Sequence, residues 1–335
     1  ITKIHTFIVM ENPTHKVILG TDVMVEWPTL LFQPTVSIEE MKRQLKQFQS
    51  ADLTTIIEEN NSGEEVVLHL NYGELMKGIA AEIEVNLSTA KKHSTIGEVA
   101  IEFIRPEDRQ KGVWKPQVTM SSDALQFYKD QVFEWLQDNI VEEMKDLPSD
   151  KDDDNGFFNT NAFPIYSGKL RIVHNFKPVN AIIKDDTCDV PGINEAFLTI
   201  SKKHPVIYSK IDLKSAYLQI PLRKGDRSVC AFTCDNRRYR FVTAPLGIKT
   251  IPSQFQRWIR ALLQKWNCLD YCVNHIDDII VFSQSLEEHT EHVKRVLQAL
   301  TSVNLTIQPK KCYFFAEKLP VLGYFLQVGR HGTKY

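Results

Sequence analysis

The sequence predicts a mixed α+β fold, and three observations carry that reading. From Gly156 onward, short runs of β-branched and aromatic residues alternate with segments whose apolar residues recur every three to four positions. Two apolar runs end on acids, one at Asp212 and one at Asp277-Asp278, the latter in a tight turn. The composition, 43% hydrophobic and 24% charged over 335 residues, suits a globular chain with two or three cores. No run of about 18 apolar residues is present, so no membrane span is expected.

Residues 1–27 read as short paired strands, with Ile4, Phe7, Val9 and the run Val17-Ile-Leu-Gly-Thr-Asp22 broken by Asn12-Pro13. The start, Ile1-Thr2-Lys3, lacks both Met and a signal-peptide pattern, and is expected to be internal to a longer chain. Ile38, Met41, Leu45 and Phe48 predict a helix over 37–49, with Ser37 as N-cap. Residues 50–118 are mixed and Glu-rich, with strand-like pieces at 65–71 and 97–104, and read as a linker with a little structure. A stronger helix opens at Ser121/Ser122. Its stripe of Leu125, Tyr128, Val132, Leu136, Ile140 and Met144 predicts that it runs toward Pro148. The polar run Ser149–Gly156 is a boundary or an exposed loop. Beyond it the spacing predicts strands at 170–173 and 205–213, a helix over 253–266, two strands around an acidic turn in 270–283, and a helix over 286–303.

Net charge is only −2, yet residues 161–260 hold 17 Lys and Arg against 7 Asp and Glu. A basic block inside a neutral chain points to a polyanion-binding face. Arg237, Arg238, Arg240, Arg257 and Arg260 are phosphate-contact candidates. Six cysteines show no zinc spacing, because Cys230/Cys234 and Cys268/Cys272 are each separated by three residues. Reduced thiols in a cytosolic or nuclear setting are expected.

Acidic doublets occur at 152–154, 185–186 and 277–278, so the dipeptide alone says little. Asp277 and Asp278 differ in lying between two apolar strands, where paired carboxylates are costly unless a cation is shared. Hard divalent ions are the usual partners of such oxygens. Asp212 ends another apolar strand. Spacing alone does not choose between metal ligands and simple turn or cap residues.

The surrounding segments resemble the reverse transcriptases of retroelements, most closely those of Ty3/gypsy-type LTR elements. Tyr208-Ser-Lys-Ile-Asp212-Leu-Lys-Ser-Ala-Tyr217 resembles the family's first catalytic block, and His275-Ile-Asp277-Asp278-Ile-Ile-Val-Phe-Ser283 its second. Phe241 through Arg257 is similar to the block beneath the incoming nucleotide. Pro309-Lys-Lys-Cys312 and Leu322-Gly-Tyr324 continue the likeness, and Gly168–Arg171 with Phe176–Asn180 resemble the fingers. The resemblance implies a right-hand polymerase fingers and palm, with an antiparallel palm sheet backed by helices. It implies a domain over 119–335 with a core of 156–327. Val17–Asp22 resembles the last core strand of a retropepsin-like aspartic protease. That implies a C-terminal protease remnant at 1–30, without the catalytic Asp-Thr/Ser-Gly, and leaves 31–118 as the linker.

Carried over residue by residue, the resemblance makes Asp212, Asp277 and Asp278 the catalytic residues and the ligands of two Mg²⁺ ions, with Mn²⁺ as a substitute. It places Arg171 and Lys169 on the triphosphate and the backbone at Leu213 beneath it. Tyr217 lies under the sugar, where its ring would exclude a 2′-hydroxyl. Pro245 and Gly247 shape the nucleotide floor. The implied partners are an RNA or DNA template-primer and deoxynucleoside triphosphates, with RNase H and integrase encoded downstream in one polyprotein. The implied location is a cytoplasmic virus-like particle, with the nucleus as the alternative. With no thumb sequence recognised before Tyr335, poor processivity is expected. Departures from the family pattern are His275 in place of Tyr, His174–Lys177 in place of an Asp-Tyr/Phe-Arg stretch, and Leu246 and Ile248 in place of Phe and Leu. Tyr166 and Ser167 stand where a fingers lysine is usual. None removes a metal ligand. The competing reading is a decayed or host-recruited remnant that binds nucleic acid or protein without catalysis.

Overall fold

The computed structural model describes residues 7–12, 15–20, 55–59, 65–69, 72–90, 92–144, 157–186, 193–321, 324–327 and 330–334. Two antiparallel hairpins come first, β1 (Phe7–Asn12) with β2 (His15–Gly20), and β3 (Thr55–Glu59) with β4 (Glu65–His69). The helix expected over 37–49 lies outside the described residues. Helices α1 (Tyr72–Leu87), α2 (Pro106–Lys111) and α3 (Ser122–Gln137) follow. Strand β5 (Val141–Glu143) joins β10 (Arg237–Phe241) and β9 (Ala231–Cys234) in one sheet. The hairpin β6 (Ala162–Ser167)/β7 (Lys169–His174) leads into short α4 (Lys177–Asn180) and then α5 (Ile193–Ser201).

The central four-stranded sheet, the one expected as the palm, has the order β11-β12-β8-β13, made of Cys272–His275, Asp278–Ser283, Ile207–Asp212 and Tyr313–Ala316. Helices α6 (Ile251–Lys265) and α7 (Leu286–Ser302) back it. β14 (Lys318–Val321), β15 (Tyr324–Gln327) and β16 (Arg330–Lys334) form a last antiparallel sheet. Among the described residues, no helix is long and apolar enough to cross a membrane.

Strand alternation sorts the palm sheet into two faces. Ile211, Ile279 and Val281 join the large core with Phe255, Ile259, Val293 and Leu297 of α6 and α7. Tyr208, Ile280 and Phe282, one residue out of step, join a second cluster with Phe197, Ile200, Leu319 and Leu326. Lys210, Asp212 and Asp278 therefore lie on this second face, at the end where apolar residues give way to charge. Local signals fix the helix starts. Ser121 Oγ accepts from the Ala124 amide, and Ser285 Oγ accepts from the Glu288 amide ahead of α7.

Two sequence expectations are corrected. α3 stops at Gln137 and does not run toward Pro148. Asn139 turns left-handed at φ 54°, and the chain re-enters as β5, pairing Val141 with Phe241. Ile140 and Met144 flank β5 and are half-buried there, so they match the helical spacing without lying on the helix. The linker expected over 31–118 also fails over its second half. Ile79, Ile83, Val99, Ile101 and Phe103 are buried in the same core as the palm, and α1 packs on α7. Asp226, fully buried, accepts from Arg109, Arg223 and the Ile101 amide at 2.7–2.9 Å, locking this segment to the palm. The strand expected at 97–104 is reduced to isolated bridges at Val99 and Phe103.

Candidate active site

β8 and β12 run antiparallel with Asp212 directly opposite Asp278. The β11–β12 hairpin closes through Ile276-Asp277, with His275 opposite Asp278. All three predicted acids thus gather at one end of the central strand pair. Asp278 is 7% exposed, Asp212 is half-buried and Asp277 stands out in solvent. Lys210 Nζ lies 2.7 Å from Asp278 Oδ1, and Lys311 Nζ lies 3.9 Å from Asp212 Oδ1. Burial raises the Asp212 pKa from the ordinary 3.8, opposed by Lys311 and Lys210 and assisted by Asp278 and Asp277.

Among the described residues, no three His, Cys, Asp or Glu side chains form a ready metal cage. The donor set nonetheless suits a hard cation. It consists of carboxylate oxygens on neighbouring strand ends, and two lysine ammoniums now supply the neutralising charge that such an ion would bring.

Tyr217 sits in the 3-10 turn Ala216–Gln219, edge-on to Phe255 at 5.4 Å. Burial, and then the charge of Asp277, push its phenol up to about 12. That places the ring within electrostatic reach of the acid turn. Leu213 is buried and bridges Ile307, through the Lys214 amide on Thr306 O and the Gln308 amide on Asp212 O. Cys312, its thiol pushed up to about 12 by burial, accepts from the Asp212 amide at 3.3 Å.

The loop at Pro245–Gly247 is held from the fingers. Asn180 Nδ2 donates to Gly247 O at 2.7 Å, and its Oδ1 accepts from the Lys249 amide at 3.0 Å. Gly247 has φ 105°, and a Cβ there would come 3.3 Å from Phe176, so the position needs glycine. Pro245 is buried and Leu246 is 67% exposed. Arg171 and Lys169 lie exposed on β7, and no described ion pair joins them to the three acids.

Three of the five arginines expected at phosphates pair with acids of the chain: Arg240 with Glu142, Arg257 with Asp186, and Arg237 with Glu143. Arg238 donates to Phe158 O and lies over the Phe157 ring. Arg260 is exposed on α6. Sequence reasoning did not single out Lys210, Lys311, Asn180 or Gln256. Gln256 alone left a signal, a polar residue on the apolar face of α6.

Comparison with known proteins bears on the fold and the family. The family model described as "Reverse transcriptase (RNA-dependent DNA polymerase)" matches residues 151–326. The Transposon Tf2-3 polyprotein of Schizosaccharomyces pombe is 33% identical over 207 residues, 60% of this chain and 14% of that protein. The Tf2-7 polyprotein of the same organism is 32% identical over the same span. The chain therefore covers about a seventh of the length of these relatives. The foamy viral protease-reverse transcriptase in complex with RNA/DNA hybrid superposes with a TM-score of 0.66 at 16% identity, covering 89% of this chain and 36% of that one. The same viral protein in complex with dsDNA gives 0.61 at 16% identity, covering 89% of this chain and 56% of that one. At that identity the likeness establishes a shared α+β fold. Matched segment and retrotransposon relatives together show that the chain belongs to the reverse transcriptase (RNA-dependent DNA polymerase) family, in its Ty3/gypsy-type branch.

Proposed function

We propose that this chain is the polymerase segment of a retroelement polyprotein, adding deoxynucleotides to a primer 3′-hydroxyl on an RNA or DNA template. The observation that supports it most is the cross-strand opposition of Asp212 and Asp278, with Asp277 in the adjoining turn. The three carboxylates would hold two Mg²⁺ ions, with Mn²⁺ as a substitute, and ions bound there lower the pKa of the 3′-hydroxyl and neutralise charge building on the phosphate. Lys210 keeps Asp278 aimed before the site is loaded. Tyr217 excludes the ribose 2′-hydroxyl. The Gly247 turn, anchored by Asn180, gives the nucleotide a floor without side chains. Arg171 and Lys169 would meet the triphosphate from the β6–β7 hairpin, and the backbone at Leu213 would pass beneath it. The basic block would hold the template-primer through its phosphates, leaving sequence to base pairing.

The polymerase unit is drawn from residue 72, because the segment before 119 shares the palm core. The β1–β2 hairpin fits a protease remnant at 1–30. RNase H and integrase elsewhere in the polyprotein, and a virus-like particle in the cytoplasm or nucleus, complete the reading.

The test is incorporation of dTTP on poly(rA)·oligo(dT) with Mg²⁺ or Mn²⁺, wild type against Asp277→Asn. The expected result is incorporation by the wild type and a drop of about 10²–10³-fold in the variant, the scale of losing one electrostatic partner of the transition state. Equal incorporation by both sinks the assignment of Asp277. None by the wild type favours a non-catalytic remnant.

A further inference from the structure

We propose that Gln256 is the positioning residue of the acid turn, holding Ile276 from helix α6 so that Asp277 and Asp278 stand beside Asp212. Gln256 is 1% exposed. Its Oε1 accepts from the Ile276 amide at 2.7 Å and from Asn274 Nδ2 at 2.9 Å, and its Nε2 donates to Asn274 O at 3.1 Å. One side-chain amide therefore spans the end of β11 and the first residue of the loop. These partners fix its orientation, since a flipped amide would face donors with a donor.

The residue it holds is strained. Ile276 has φ 58°, left-handed backbone that a β-branched side chain rarely adopts. A two-residue hairpin turn with positive φ only at its first position favours glycine there. Isoleucine occupies it, so something outside the turn must oppose relaxation. The Gln256 bond to the Ile276 amide is the interaction placed to do so, because it fixes the peptide immediately before Asp277. Released, the turn would settle toward negative φ and swing Asp277 away from its neighbours. Gln256 touches no carboxylate itself and acts through the backbone. The inference rests on the reading that the three aspartates take up divalent ions.

The test compares wild type, Gln256→Ala, Ile276→Gly and the double variant. Mn²⁺ affinity is read by electron paramagnetic resonance, and amide exchange is followed at Ile276, Ile279 and Val281. Gln256→Ala is expected to weaken Mn²⁺ binding about tenfold, on the scale of one buried hydrogen bond lost. Exchange should open at Ile276 while Ile279 and Val281 stay protected. Glycine removes the strain, so the double variant should recover most of the affinity, which a merely structural role for Gln256 would not produce. Unchanged Mn²⁺ affinity in Gln256→Ala overturns the proposal. So does loss of protection at Ile279 and Val281, or a double variant no better than the single. A wild type that binds no Mn²⁺ overturns it together with the polymerase reading, and is told apart because the parent chain itself fails.

Discussion

Asp212 illustrates the tension between stability and chemistry at a single residue. Its carboxyl is raised by burial, so the folded chain holds that proton more tightly than the unfolded chain does. The sign follows directly: protonated Asp212 favours folding, and stability is lost as pH rises through the raised value. Asp212→Asn is therefore expected to raise the melting temperature of metal-free protein at pH 7, with the gain shrinking below the ordinary 3.8. Melting curves in chelator at pH 7 and pH 3.5 check this, and a variant less stable than wild type at pH 7 would contradict it. Tyr217 carries a specificity prediction. Opening the space beside Phe255 with Tyr217→Ala should raise ribonucleotide incorporation relative to deoxynucleotide by roughly 10–200-fold, the range for a pocket that sorts by size. Competing rCTP and dCTP extensions measure it. The acids and Tyr217 were legible because each sits in a short ordered block of sequence. Lys210, Asn180 and Gln256 were not, since each earns its role from a partner 67 to 69 residues away, or, for Gln256, from a turn bent by tertiary contact.

Between elements, the palm is stitched by a buried polar chain. The Phe315 amide of β13 donates to Ser209 Oγ of β8 at 3.1 Å, and Ser209 Oγ lies 2.7 Å from His289 Nε2 of α7. His289 Nδ1 lies 2.8 Å from Ser283 Oγ of β12, which lies 2.8 Å from His292 Nδ1. One proton order satisfies every group: Ser209 donates to Nε2, His289 Nδ1–H donates to Ser283, and Ser283 donates to His292. The strands bearing Asp212 and Asp278 are thereby joined from behind through one fully buried imidazole. His289→Phe would take the acceptor from the Ser209 hydroxyl and the donor from Ser283, and is expected to cost about 2–4 kcal/mol. Urea unfolding should show a lower midpoint with an unchanged slope. Among the elements, the palm strands and α7 were readable because their apolar residues repeat with the period of the burial they take up. α1 was not, although it is a full helix. Its Gly78 is a poor helix former, yet a Cβ there would meet Thr290 of α7 at 2.9 Å, so glycine serves close helix packing. Its polar Asn86 is buried, bonding Thr301, the Leu305 carbonyl and the Ile307 amide across more than 200 residues.

At the scale of the molecule, the continuous core that joins residues 79–103 to the fingers and palm makes local titration a global event. Two buried histidines sit at separate points on that core. His174 lies among Phe232, Phe241 and Phe176, and burial lowers it from the usual 6.5 to about 3. His289 is lowered to about 3 by burial and then by His292. Because both folded values are depressed, the unfolded chain takes up these protons first. The stability they contribute is complete above about pH 6.5 and is lost as pH falls toward 3. With about 1.4 kcal/mol per unit from each, the slope below pH 6 approaches roughly 2–3 kcal/mol per pH unit. A domain of ordinary marginal stability should then unfold near pH 4–5. Asp212 opposes this only in the last stretch, where its own proton binds. His174→Phe removes one titrating group and a buried Nδ1 without a partner, in a pocket already lined with aromatic rings. Acid unfolding followed by tryptophan fluorescence should show a lower midpoint and about half the slope for that variant, and the transition should stay single because fingers and palm share one core. A variant that unfolds at the wild-type pH would place the acid sensitivity elsewhere.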